Sequence, residues 1–383
     1  MLPVSIVRDL DLKTKTAKAL ELIGGIEKVV GRGDKVLIKP NLVDGVSPET
    51  GETVHPEVVM TVAELAQRAG AAKVTIGEAP TWRDLTLYNL YAKLAKEIGA
   101  EMVNFNEEPF DEVPVKNPVY FKTVRIARAL IQCDVFINIP TLKTHHLAGI
   151  TVAFKNLYGA IPGEDKRMYH HMDRMEEVIV DLNIARSSHL IVVDGTYSTH
   201  HVHPFEKQRL DLALAGYNPV AVDTVAARVV GVDPRTLRYL AWAEEKGLGI
   251  RDLSQINILG LSIGEAYRKD TVTVKDLVAH RLKHVKLIDG QSCTGCFGRL
   301  ATDCCRFIGK EPFMEDLYIL MGPKAIPPRD VARVILCGNC LAPTFYNGFK
   351  GLYVPGCPPD LEAFRKALEA FQASGKQGVS STT

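Results

Sequence analysis

The stretch DVFINIPTLKTHH, residues 134–146, decides the fold. Its first half, Asp134–Ile139, is apolar at nearly every position rather than at alternate ones, as in a parallel strand buried on both faces. Its second half breaks at Pro140 and then presents Lys143, His145 and His146, so polar chemistry follows directly on a buried strand. Comparable runs stand at Lys35–Ile38, Lys73–Ile76 and Leu190–Val193. Between them lie segments of helical period. Pro56 to Ala69 places Val59, Val62 and Ala66 on one face and stops at Gly70. Leu85 to Ile98 stops at Gly99, Met175, Val178, Ile179 and Leu182 repeat at helical spacing, and Asn218 to Val230 stops at Gly231. Alternation of this kind predicts an α/β domain with a mostly parallel sheet.

The texture changes near Leu282, where KLIDGQSCTGC opens a smaller unit. It has apolar runs at Leu317–Leu320 and Val334–Leu336, a helical stretch after Cys296, and a closing helix, Asp360 to Gln372, with Leu361, Phe364, Leu368 and Phe371 on one face. The expected organisation is therefore an α/β domain over 1–284, a cysteine-rich α/β metal-cluster module over 285–375, and a small polar tail over 376–383 that frays.

Bulk properties exclude several classes. The 383 residues carry a net charge of +1, which gives no support for a nucleic-acid binder. No run of eighteen apolar residues offers a membrane span, and the charged N-terminus lacks the apolar stretch of a signal peptide, so a cytoplasmic protein is expected. Neither Gly-x-Gly-x-x-Gly nor a phosphate-binding Gly-x-x-x-x-Gly-Lys-Ser/Thr loop is present, and no nucleophilic-serine elbow.

Seven of the eight cysteines fall between Cys293 and Cys357; Cys133 stands apart, in a predicted strand, as a free buried thiol. In a reducing compartment such clustering points to metal or redox chemistry rather than disulfides. Cys293-Thr-Gly-Cys296 and Cys337-Gly-Asn-Cys340 are turns that let two thiolates reach one centre, with glycine permitting the tight backbone. Cys357 lies in VPGCPP, where the prolines stiffen the loop. That phrase resembles, over about six residues, the cluster loop in the small subunits of respiratory complex I and nickel–iron hydrogenases. The set Cys293, Cys296, Cys340 and Cys357 is preferred as ligands of a 4Fe-4S cluster, with Cys304, Cys305 and Cys337 in reserve and a second cluster left open. A structural zinc on Cys293, Cys296, Cys337 and Cys340 is the rival, but it leaves Cys357 unexplained.

In the α/β domain, polar groups stand just past the strands: Lys39 and Asn41 in LIKPNLV, with Pro40 ending the ladder, then Lys143 and His145, then Lys155 and Asn156, and Asp194 in IVVDG. Ligands of open α/β sheets bind at the carboxyl ends of strands, so these residues are expected to form one crevice. Lysines with amide side chains suit a small anion. Lys143, His145 and Lys155 are the candidate catalytic groups, and Lys39, Asn41, Asn156 and Asp194 the candidate ligand-binding groups. Eight of the eleven histidines lie between His145 and His203, among them His170 and His171. A second, divalent metal near His200, His201 and His203 is an additional expectation.

Taken together, KPNLV (39–43), PTLKTHHLAGITVAFKNLYGAIPG (140–163), His170, VDL (180–182), VDG (193–195), GYNPVAVDTVAARVVGVDP (216–234) and GLG (247–249) resemble the family known as domain of unknown function 362. The CTGC, GNC and VPGCPP phrases are similar to the cluster-binding C-terminal extension of some members. One departure is that TYSTHHVHPFEKQRL follows VDG where the family usually has a Glu-Gly-containing, glycine-rich loop. A distant likeness to the lactate racemase group maps no catalytic residue onto this chain. The resemblance implies architecture and no settled activity.

The resulting expectation is a redox-active iron–sulfur protein, an oxidoreductase or electron carrier, acting with a small anionic ligand or a redox partner protein. Two alternatives stand beside it: a non-redox metal-dependent isomerase or lyase with a structural cluster, and a zinc-stabilised binding or assembly protein. A homo-oligomer is left open.

Overall fold

The computed structural model describes residues 1–43, 46–80, 85–145, 148–172, 174–200, 203–267, 282–296, 300, 313, 315–326, 331, 333–344 and 351–377. The chain divides into two compact units. The first comprises 1–145, 150–234 and 239–271, and the second 146–149, 235–238 and 272–383.

The strands of the first unit are β1 (Leu2–Arg8), β2 (Lys35–Pro40), β3 (Lys73–Glu78), β4 (Glu101–Asn104), β5 (Phe110–Pro114), β6 (Thr123–Ala127), β7 (Val135–Ile139), β8 (Thr141–His145), β9 (Gly149–Thr151), β10 (Leu190–His200), β11 (His203–Gly216) and β12 (Ile256–Gly260). The main sheet runs β12-β1-β11-β10-β7-β2-β3-β4, with β8 paired to β10 and β9 to β8; β5 and β6 form a separate pair. From β10 to β4 every neighbour is parallel. β11 is antiparallel to both β1 and β10.

The parallel half follows directly from the sequence. All five residues of β7 are buried, because helices cover both faces and leave no position for water-facing side chains. The helix Pro56–Arg68 starts with proline at its first turn and buries Val58, Val59, Val62 and Ala66. Each such side chain contributes roughly 1.5–3 kcal/mol when fully removed from water. The predicted helices at 85–98 and 218–230 are realised as Thr86–Glu97 and Pro219–Val229.

Several details differ from the sequence reading. The β2 ladder runs on through Pro40, opposite Ile139, because a proline at a strand end forfeits only a donor. Cys133 is only partly buried and caps the short helix Arg128–Gln132, its thiol donating to the Leu130 carbonyl. The segment after VDG continues as a long antiparallel hairpin, so His200 and His203 face each other in register at its tip. His146, His201, Cys304 and Cys305 lie outside the described residues, as does nearly all of the stretch expected to be helical after Cys296.

The second unit contains a four-stranded parallel sheet in the order β13 (Val285–Asp289), β14 (Leu317–Met321), β15 (Val334–Cys337), β16 (Leu352–Val354). Phe364, Ala367 and Leu368 of the helix Leu361–Gln377 pack into one core with Leu317, Ile319 and Cys337. The helix thus continues past the expected boundary at 375. Among the described residues no helix is long and apolar enough to cross a membrane.

Candidate functional site

The carboxyl ends of the parallel strands carry a buried network of lysines and carboxylates. Lys39, at the end of β2, donates to Glu78 Oε2 at 2.7 Å, to the Pro40 carbonyl at 3.0 Å and to Asn156 Oδ1 at 3.4 Å. Glu78, at the end of β3, also receives the Leu42 and Ala79 backbone N–H groups. The Asn156 amide in turn donates to Asn138 Oδ1 at 2.7 Å. Asn138, a polar residue in the middle of β7, donates to the Ala153 carbonyl at 2.9 Å. This network leaves no exposed surface on Lys39 and 3% on Asn156, so both frame the site from below rather than line it.

Lys143 stands on β8, sharing a strand face with Thr141 and His145. Its amine donates to the Glu52 carbonyl at 3.0 Å and to Glu52 Oε2 at 3.3 Å. Asn41 donates to the same Glu52 carbonyl at 2.5 Å. One backbone oxygen therefore ties β2, β8 and the 48–55 segment together. His145 is buried at the end of β8. Burial pulls the ammonium of Lys39 and that of Lys143 down from the usual lysine range, against the opposing pull of Glu78 and Glu52.

Lys155 differs from both. It sits in the short helix Ala153–Asn156, is partly buried, and among the described residues has no hydrogen-bond acceptor or carboxylate against its amine. Its Nζ lies 5.5 Å from the centroid of the Tyr158 ring. Desolvation, then repulsion from Lys143 and Lys166, pulls its pKa down to about 7, with Glu52 opposing weakly. Asp223 holds the helix start. Its carboxylate accepts from Ala153 N at 2.8 Å, Phe154 N at 3.3 Å and the Tyr239 hydroxyl at 3.0 Å. Complete burial raises the Asp223 carboxyl to about 7 despite those donors.

Asp194 belongs to a neighbouring arrangement. Its Oδ2 accepts from both the backbone N–H and Nδ1 of His55, each at 2.8 Å, and its Oδ1 accepts from Thr196 N and Oγ1. Lys15, fully buried, donates to Thr196 Oγ1 at 2.8 Å. His55 Nε2 is 3.7 Å from Glu49 Oε1, and Glu49 accepts from the Tyr197 hydroxyl at 2.5 Å. Burial would lower the His55 pKa, but the hydrogen bond and charge of Asp194 outweigh it and the net shift is upward. Of the predicted groups, then, Lys39, Asn41, Lys143 and Asn156 meet around Glu52 and Glu78, and Lys155 presents an amine with no acceptor among the described residues. Glu52, Glu78 and His55 did not figure in the sequence reading. Glu78 stands at the carboxyl end of β3 as Lys39 stands near that of β2, which was the available signal for it.

In the second unit the described cysteines also stand at or just past strand ends. Cys337 closes β15, Cys340 follows it, Cys357 follows β16, and Cys293 and Cys296 follow β13. Asn339 stitches two of these connections together: its N–H donates to the Gly356 carbonyl at 2.9 Å and its Oδ1 accepts from Gly356 N at 2.6 Å. Gly338 has φ +97°, and a Cβ there would lie 3.0 Å from Cys296 Sγ and 3.7 Å from Cys340 Sγ. The Cys293 thiol is held below its usual range, chiefly by a hydrogen bond with Cys296. Cys296 and Cys337 are buried, Cys340 and Cys357 exposed, and all six described cysteines are free thiols. Among the described residues no group of three His, Cys, Asp or Glu is arranged to hold a single metal ion.

Comparison with known proteins places the lysine site inside a recognised family. A thylakoid-associated protein of Synechocystis sp. is 30% identical over 239 residues, covering 60% of this chain and 73% of that protein. Among solved structures, the lactate racemase apoprotein of Thermoanaerobacterium thermosaccharolyticum shares 13% identity at a TM-score of 0.39, over 57% of this chain and 54% of that one. A protein from Thermotoga maritima shares 13% at 0.37, over 67% and 62%. This chain thus spans little more than half of the racemase, and likeness at this level assigns no chemistry. The model of the family described as domain of unknown function (DUF362) matches residues 36–228, from β2 through nearly all of the helix 219–229. That span holds Lys39, Glu52, Glu78, Lys143, Lys155, Asp194 and Asp223, and the chain belongs to the DUF362 family.

Proposed function

We propose that this protein is a redox-active iron–sulfur protein whose first unit binds a small anion at the Lys143–Lys155 site. The cluster ligands are Cys293, Cys296, Cys340 and Cys357, and a 4Fe-4S cluster there supplies one-electron transfer. The observation that carries this reading is Gly338, whose missing side chain leaves open the space between Cys296 and Cys340. A donor set of thiols alone, one buried, one partly buried and two exposed within the four, fits a cluster that is anchored on one side in the core and reachable by a redox partner protein. Free thiols in this density suit a reducing compartment such as the cytoplasm. For the anion, Lys143 and Lys155 supply cationic and hydrogen-bonding donors at the strand ends where α/β proteins receive ligands.

The test is anaerobic purification with iron and acid-labile sulfide analysis and an electronic spectrum before and after dithionite. Iron and sulfide in near-equal amounts, with a broad visible absorption that bleaches on reduction, support the reading. Colourless protein lacking both ends it.

A second reading, a non-redox isomerase or lyase, draws on two observations. Lys155 is poised near neutrality for proton transfer, and His200 and His203 stand in register where a divalent metal could be held. It predicts a second metal, distinct from iron, that is lost in a His200→Ala/His203→Ala variant.

A further inference from the structure

We infer that Arg238 supplies a fixed positive charge at the cysteine site and thereby raises the reduction potential of the cluster held there. This role rests on the cluster reading proposed above and adds to it a residue from outside the cysteine-rich stretch.

Arg238 precedes Thr294 by 56 residues, yet the segment 235–238 belongs to the second unit, with the cysteines. Its backbone N–H donates to Thr294 Oγ1 at 3.3 Å, inside the CTGC turn. A Cβ at Gly295 would lie 2.5 Å from Arg238 Nη1, 3.1 Å from Arg238 Cδ and 3.2 Å from Pro358 Cβ. Gly295 separates Thr294 from Cys296 in that turn, and Pro358 directly follows Cys357. The guanidinium therefore stands where the CTGC and VPGCPP loops meet, beside residues that adjoin three of the four proposed ligands. Two glycines bring these connections together. Gly338 admits Cys296 beside Cys340, and Gly295 admits Arg238 beside the CTGC turn. Arg238 is half-buried, so water screens its charge only in part.

The electrostatic consequence has a definite sign. Four thiolates make the site negative, and reduction adds one electron taken from an external reductant. A neighbouring cation stabilises the reduced form more than the oxidised one, and net charge is among the protein's main controls on cluster potential.

The test compares the native full-length protein with Arg238→Lys, Arg238→Gln and Arg238→Met. Each is assayed anaerobically for iron and acid-labile sulfide. Titration with dithionite, followed by electron paramagnetic resonance, then gives the midpoint potential. The neutral variants should keep their iron, with the equilibrium constant for reduction lowered roughly tenfold, or ~59 mV for a one-electron couple. Arg238→Lys should stay near the native midpoint. A merely structural role would change iron content and leave the potential of the remaining cluster unmoved. Equal potentials in all four proteins overturn the inference and leave the cluster reading standing, as does a Lys variant as low as the neutral ones. Loss of iron from both neutral variants makes Arg238 a structural support and also overturns the inference. Native protein without iron and sulfide overturns both.

Discussion

The amine of Lys39 and the carboxylate of Glu78 meet at 2.7 Å beneath the backbone of Gly159. A Cβ at Gly159 would lie 2.6 Å from Lys39 Nζ and 2.7 Å from Glu78 Oε1, so the pair and the glycine form one unit. Neither side chain can swing aside, because both are buried and bound to each other. Gly159→Ala should destabilise the protein by about 2 kcal/mol through overpacking. Glu78→Ala, which strands a buried amine, should cost about 3–5 kcal/mol. Urea unfolding of the two variants tests this ordering, and equal, negligible effects would contradict the geometry.

A pH dependence follows from Lys155. Its folded-state pKa of about 7 lies below the ordinary lysine value, so the unfolded chain holds a proton that the folded chain releases. Stability contributed by this group therefore rises with pH from near 7 towards the unfolded value near 10.4. The charged groups that set the shift are Lys143, Lys166 and Glu52. The difference in unfolding free energy between the native protein and Lys155→Met should grow in favour of the native protein across that window. A difference that stays flat from neutral to alkaline pH would refute the shift.

The cysteine assignment orders two substitutions. Cys357→Ser should lose most bound iron and sulfide, whereas Cys337→Ser, which alters a thiol packed in the core with Leu317 and Phe364, should retain them at some cost in stability. A structural zinc on the two Cys-x-x-Cys pairs would produce the opposite order. Metal and sulfide content of the two variants decides the matter.

His55 titrates above its ordinary value because Asp194 faces it. The stability this histidine contributes is fully present below its unfolded pKa near 6.5 and is lost as pH rises through the folded value. Asp194→Asn should lower the His55 pKa and flatten that dependence. Nuclear magnetic resonance titration of the His55 ring protons measures the shift directly, and an unchanged midpoint would show that the pair is not coupled.

The parallel half of the first sheet was legible because strands buried on both faces leave uninterrupted apolar runs, as in Val135–Ile139. The antiparallel half was not. In β11 the run Arg209 to Gly216 mixes charge with alanine, and its pairing with β1 brings together residues some two hundred positions apart, such as Val4 and Gly216. The donors of the site were legible as lysines and asparagines following strands. Their acceptors were not, since Glu52 approaches Lys143 from a segment ninety-one residues away and nothing local marks it. His55 was hidden for a related reason: it precedes Pro56 and looks like an ordinary helix entry, and only the fold brings Asp194 to it.

The parallel arrangement of β13 to β16 bears on how the second unit matures. Cys293, Cys296, Cys340 and Cys357 belong to three different connections, and the last of them follows β16. A nascent chain cannot gather these thiols until β16 has emerged and paired beside β15. Any group held by all four would therefore be acquired only after β16 has been synthesised and has joined the sheet. Chains interrupted before Leu352 would lack the last thiol and would be released without it.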